Sequence, residues 1–200
     1  MDQAPAGLLR LNLETRSFHD AADEGWLGLL LPTVSPREYR HQLVTTYGFE
    51  APLEAALAYT PDLRPLIDLR HRSRAGLIAR DLLALGLRAN ELSALPQCLI
   101  APFASPIEAL GWMYVVERAT FLHERVRRHL LVHLPELDDV SAYISSYDGV
   151  VNARWHDLGH AIDRVVRDPA EQDELREAAI AAFRRLSQWT SDETSFARGA

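Results

Sequence analysis

Three copies of a Ser/Asp-Pro-x-Glu signature restrict how this chain can fold more than any other feature: Ser35-Pro36-Arg37-Glu38, Ser105-Pro106-Ile107-Glu108 and Asp168-Pro169-Ala170-Glu171. Each puts a capping acceptor at the helix N-cap and a proline at the first helical position, where its missing N–H costs nothing. The glutamate at N3 is placed to reach back to the cap. Between these starts apolar residues recur at three and four. Leu8, Leu11, Thr15, Phe18 and Ala22 mark a first helix, and Ile107, Leu110, Tyr114, Ala119, Leu122 and Val126 mark the helix opened by Ser105. No region alternates with period two. The spacing predicts further helices over 37–58, with a bend near Pro52, and over 63–86, 143–166 and 170–190. Pro61, Pro65, Gly86, Pro96, Pro102, Pro135 and Gly149 fall between or near their ends. The expected fold class is all-α.

Two hundred residues with 48% apolar composition suit one domain, read here as 1–190 followed by a flexible tail over 191–200. No apolar run approaches the roughly 18–20 residues a membrane span needs, and the N-terminus lacks the pattern of a signal peptide, so the expected location is cytoplasmic. A net charge of −7 argues against nonspecific nucleic-acid binding, which needs a positive field over the contact surface. The basic run over 125–133 reads as the C-terminal part of a helix complementing its dipole. Cys98, alone in its type, excludes an internal disulfide and sits in an apolar context that suits a buried small residue.

Four motifs bear on function. The helix opened by Ser105 contains Ala109-Leu110-Gly111, Tyr114-Val115, Glu117 and Thr120. Thr15-x-x-x-His19 lies near the N-terminus, and Arg154-Trp155 and Phe183-x-x-Leu186-x-x-Trp189 near the C-terminus. Glu24-Gly25-Trp26 and the Tyr47, Leu53, Glu54 pattern accompany them. Together these resemble the bacterial heme oxygenases, especially the short forms associated with bilin-using photoreceptors, over nearly the whole chain. In that family the distal helix reads Ala-Leu-Gly-x-x-Tyr-Val-x-Glu-Gly-Ser-Thr-Leu-Gly-Gly. Here Arg118, Leu122 and His123 stand at the later glycines and Ala119 at the serine.

The resemblance implies a heme oxygenase-like single-domain helical bundle with His19 as the proximal iron ligand. A helical histidine can serve so when its second ring nitrogen is held, and Asp23 lies four residues on, placed to hold it. Arg16 matches a basic position that would meet a heme propionate. Asn12 stands where another lysine or arginine is common, and Arg154 and His156 are further candidates for that role. Heme would be both substrate and cofactor, cleaved to biliverdin, carbon monoxide and iron by an oxidoreductase that draws on an external electron donor, with a bilin-using photoreceptor as a candidate partner.

Glycine lets the family's distal helix approach the porphyrin, so Arg118 and Leu122 are expected to fill that space. Three outcomes stay open. The helix moves aside; or Arg118 or His123 reaches the iron; or the cavity closes and the chain is a non-catalytic tetrapyrrole-binding or signalling protein on the same scaffold. A different class, the di-iron oxidases, would use Glu-x-x-His pairs. Glu38-x-x-His41 and Asp157-x-x-His160 have that spacing, but Glu38 already serves a capping box and no bridging carboxylates are identifiable.

Overall fold

The structure, a computed structural model, describes residues 5–199, with side chains as far as residue 192. It is all-α, with no strand among the described residues. In order the helices are α1 (Ala6–Glu14), α2 (His19–Gly28), α3 (Pro36–Ala58), α4 (Ala75–Ala84), α5 (Ala89–Ser93), α6 (Pro106–His133), α7 (Val151–Val165) and α8 (Pro169–Gly199).

All three signatures start helices. Ser35 accepts the Glu38 N–H at 3.4 Å while the Glu38 carboxylate accepts the Ser35 N–H at 2.7 Å. Asp168 accepts from Ala170 and Glu171 at 2.8 and 2.9 Å, and the Glu171 carboxylate accepts from Asp168 at 3.2 Å. Ser105 caps Glu108 at 3.0 Å, but its hydroxyl also donates to Glu174 at 2.5 Å, tying the start of α6 to α8. Such caps each contribute about 1 kcal/mol.

Three expected helices are shorter than their periodicity suggests. The first breaks after Glu14. The Thr15 hydroxyl bonds the Leu11 carbonyl at 2.8 Å, a turn of 3₁₀ helix over Arg16–Phe18 follows, and α2 begins at His19. Over 63–86 the helix starts only at Ala75, where Glu54 of α3 accepts the N–H groups of Arg74 and Ala75 at 2.5 and 2.9 Å. The residues before it turn through Asp62, at φ 56°, and bury Arg72 and Arg74. Over 143–166 the helix starts at Val151; Asp81 instead holds the N–H groups of Ala142 and Tyr143 in a turn at 3.1 and 2.8 Å. α5 was not anticipated. α8 keeps a helical backbone to Gly199, through most of the segment read as a tail, and Ala200 lies outside the described residues.

Helix α3 runs through Pro52. Proline cannot donate to the carbonyl four residues back, and that carbonyl, of Gly48, accepts the Cys98 N–H at 2.7 Å instead.

Helix α6 forms the axis of the bundle, with α2, α7 and α8 around it. Its retained Gly111 serves packing. A Cβ there would lie 2.7 Å from the Ala178 Cβ and 2.8 Å from the Leu175 carbonyl oxygen, so only glycine lets α8 approach. Two hydrophobic clusters share α3 and α6. One gathers Phe49, Leu53, Leu110, Tyr114 and Phe183; the other gathers Trp26, Tyr39, Leu43, Val126 and Tyr143. Where they meet along both helices, the chain buries Glu50, Glu117, Arg72, Arg74 and His123.

Candidate functional site

His19 opens α2 half-buried against Phe183, with ring centroids 5.6 Å apart. Its Nε2 is already engaged, 3.3 Å from the Thr15 hydroxyl and 3.3 Å from the Tyr114 hydroxyl of α6. Thr15 and Tyr114 are themselves 3.0 Å apart, and Tyr114 donates to Asn12 Oδ1 at 3.0 Å. Asn12, the missing cation of the sequence pattern, is thus a member of a four-residue hydrogen-bonded cluster that ties α1 and α2 to α6. Burial, and then the neighbouring Arg118 guanidinium, lower the His19 pKa below its ordinary value, while burial raises that of Tyr114 to about 12.

Asp23 does not hold the second ring nitrogen of His19; no hydrogen bond joins them among the described residues. Its carboxylate is paired with Arg118, and both side chains are only 13% exposed. The pair spans the gap between α2 and α6, with Arg118 standing where the family pattern has a glycine. Beside it, Trp155 of α7 packs on Tyr114 at 5.5 Å and on Phe121 at 5.2 Å.

The remaining sequence candidates stand apart from His19. Leu122 packs on the second core cluster. His123 is buried between Trp26 and Tyr143, at 5.0 and 4.9 Å, with neither nitrogen hydrogen-bonded; burial and nearby Arg74 keep it neutral. Arg16 is exposed, and His156 is half-buried on α7. Arg154 gives its main-chain carbonyl to Arg72 at 2.7 Å, and lines a different depression together with Asp157 and His160. Glu38 is held by its capping box, and no cluster of three or more His, Cys, Asp or Glu suited to a metal occurs among the described residues. Cys98 is buried, and burial pushes its thiol pKa up, away from the thiolate a nucleophile needs.

Sequence reasoning missed a buried ion network. Arg74 lies 3.2 Å from Glu50, which also accepts from the Tyr143 hydroxyl at 2.6 Å. Arg72 lies 2.8 Å from Glu117, which accepts from Tyr147 at 2.6 Å. The Arg74 guanidinium covers both tyrosine rings, 5.4 and 5.0 Å from their centroids. Burial raises the Glu50 pKa to about 7 against the pull of Arg74, which stays charged. The signal was there: Glu50 falls seven residues from Leu43 and from Leu57, in phase with the buried face of α3.

A cavity of about 910 Å³ opens between α2, α3, α6 and α8. Trp26, Phe49, Val116 and Leu186 line it with Gln42, Thr45 and Glu50, and neither His19 nor Arg118 reaches it. The Thr45 hydroxyl is buried without a hydrogen-bond partner, a state that costs about 1–3 kcal/mol. A Cβ at Gly25 would lie 2.3 Å from Gln42 Oε1, so glycine admits that amide against α2.

No protein-family model matches this chain, and no curated protein matches it either. The likeness to heme oxygenases rests on the motif residues. In the arrangement they adopt, the Nε2 of His19 faces two hydroxyls, those of Thr15 and Tyr114, and so is not free to serve as an axial ligand. The Arg118–Asp23 pair joins α6 to α2 close enough to His19 to act on its charge. The open cavity offers no histidine beyond His41, which is exposed.

Proposed function

We propose that this chain is a non-oxygenating, ligand-binding protein on a heme oxygenase-like scaffold, working in the cytoplasm. The observation that carries the reading is the closure of the α2–α6 gap. Arg118 is paired with Asp23, and the Nε2 of His19 is turned onto Tyr114 and Thr15. Residues that the motif leads one to expect around a heme here hold helices together. No helix among the described residues is long and apolar enough to cross a membrane.

Titration of the purified protein with hemin tests this. The expected result is no one-to-one Soret complex and no biliverdin when an electron donor is added under air. A stoichiometric complex whose Soret band decays to biliverdin overturns the reading. In that event the second reading holds, a heme oxygenase fed by an external reductase, with a bilin-using photoreceptor as a candidate recipient. The half-exposure of His19 favours it, since an opened α2 would free the imidazole.

A further inference from the structure

The charged side chains lining the cavity between α2, α3, α6 and α8 fall into two groups. Two are already engaged. Glu38 serves the cap of α3, accepting the Ser35 N–H at 2.7 Å and the Ser35 hydroxyl at 2.8 Å. Glu50 lies 3.2 Å from Arg74 and accepts from the Tyr143 hydroxyl at 2.6 Å. Two are not. The side chains of Glu24 on α2 and Arg37 on α3 have neither a hydrogen bond nor an ion pair among the described residues, and both are exposed where the cavity meets solvent.

These two free charges have opposite signs and come from neighbouring walls. Gly25, next to Glu24, brings α2 against Gln42 of α3, since a Cβ there would lie 2.3 Å from Gln42 Oε1. Arg37 stands about 7 Å further along α3, at roughly 1.5 Å per residue. The carboxylate and the guanidinium are thus held on one rim without meeting each other. A rim of one sign selects ions of the other; a rim with one free charge of each sign complements a molecule that carries both.

Below the rim, Trp26, Phe49, Val116 and Leu186 supply an apolar floor, and the volume of about 910 Å³ lies within the roughly 300–1,000 Å³ of small-molecule sites. At about 30 Å³ per water it equals roughly thirty waters, room for two apolar residues rather than one.

We propose that this cavity binds a short apolar peptide with free termini, its carboxylate on Arg37, its ammonium on Glu24 and its side chains on the apolar floor. The site lies apart from His19 and Arg118, and the assignment rests on the ligand-binding reading above, to which it gives a ligand class.

The dipeptide Phe-Leu is the probe, with acetyl-Phe-Leu and Phe-Leu-amide as forms that each lack one charge. Calorimetric titration of the wild-type chain should show saturable one-to-one binding of the dipeptide, weakened about fivefold in either blocked form, the upper range for an exposed ion pair. Arg37→Gln should weaken the free dipeptide by the same factor and leave the affinity for the amide unchanged. Glu24→Gln should weaken the free dipeptide likewise and leave that for the acetyl form unchanged. Ala119→Phe, which fills the cavity from α6, should abolish binding with the helical circular dichroism retained; if that variant does not fold, Leu186→Trp blocks the same space from α8. No saturable binding to the wild type overturns the proposal. So does equal affinity for free and blocked forms, or undiminished binding by a folded blocking variant. Hemin separates this proposal from the functional reading. Hemin uptake that leaves the dipeptide bound overturns only the non-oxygenating reading, and failure of both hemin and dipeptide to bind overturns only the peptide assignment.

Discussion

Arg118 of α6 and Asp23 of α2 form an ion pair across the gap between their helices, and both side chains are 13% exposed. At that depth the pair gains little over an apolar contact of similar shape, yet breaking it strands one charge away from water. Arg118→Ala should therefore lower unfolding free energy by about 3 kcal/mol, as should Asp23→Ala, while the double variant loses clearly less than the sum. Urea unfolding of the four proteins measures this. Additive losses would show that the two residues are not coupled.

The same guanidinium acts on His19. After burial, Arg118 is the largest influence lowering the imidazole pKa, while Asp23 pulls it upward. Replacing Arg118 with glutamine removes the opposing cation and frees Asp23, so both changes act in one direction. The His19 pKa should rise in Arg118→Gln, read from its Cε1–H chemical shift across a pH titration. An unchanged midpoint would place the guanidinium away from the ring.

Restoring glycine at 118 and 122 should reopen the approach between α2 and α6. Each glycine costs about 1 kcal/mol within a helix, and the ion pair is lost as well, so the double variant should unfold at lower urea. It should also gain a hemin Soret band that the wild type lacks, and adding His19→Ala should remove that band. A band that survives without His19 would take this histidine out of any heme site in the opened protein.

The helix starts were legible because each needs only four adjacent residues with fixed jobs: an acceptor, a proline and a returning glutamate at 35–38, 105–108 and 168–171. The all-α class followed from the three-and-four spacing. The starts of α4 and α7, which carry no such signature, were not legible, because distant carboxylates decide them. Glu54 starts α4 and Asp81 holds the turn ahead of α7, and neither partnership leaves a local trace. At the site, the motif located His19, Asp23 and Arg118 near one another, but pairing was decided in three dimensions. Asp23, one turn from His19 on the same helix face, found a stronger partner on α6. Asn12 was read as a missing cation, and only the position of Tyr114 revealed its use as an acceptor.

The buried network makes stability depend on pH in a way that one substitution can isolate. Glu50 has its carboxyl pKa raised from 4.5 to about 7, by burial first, while Arg74 and the Tyr143 hydroxyl hold it down. Between those values the folded protein keeps a proton that the unfolded chain has released. The contribution of Glu50 is therefore complete below pH 4.5 and is lost as pH rises through 7, with a slope of up to about 1.4 kcal/mol per pH unit. His123 works in the opposite sense. Its folded pKa is depressed, so its contribution is present above the ordinary histidine value of 6.5 and is lost on acidification. The two partly cancel in the wild type, so the informative quantity is the difference from a variant. Glu50→Gln still accepts from Tyr143 through its amide oxygen but does not titrate. Wild type minus variant should show stability falling steadily from pH 4.5 to 7 in urea titrations. A flat difference would mean that Glu50 remains ionised throughout, held by Arg74.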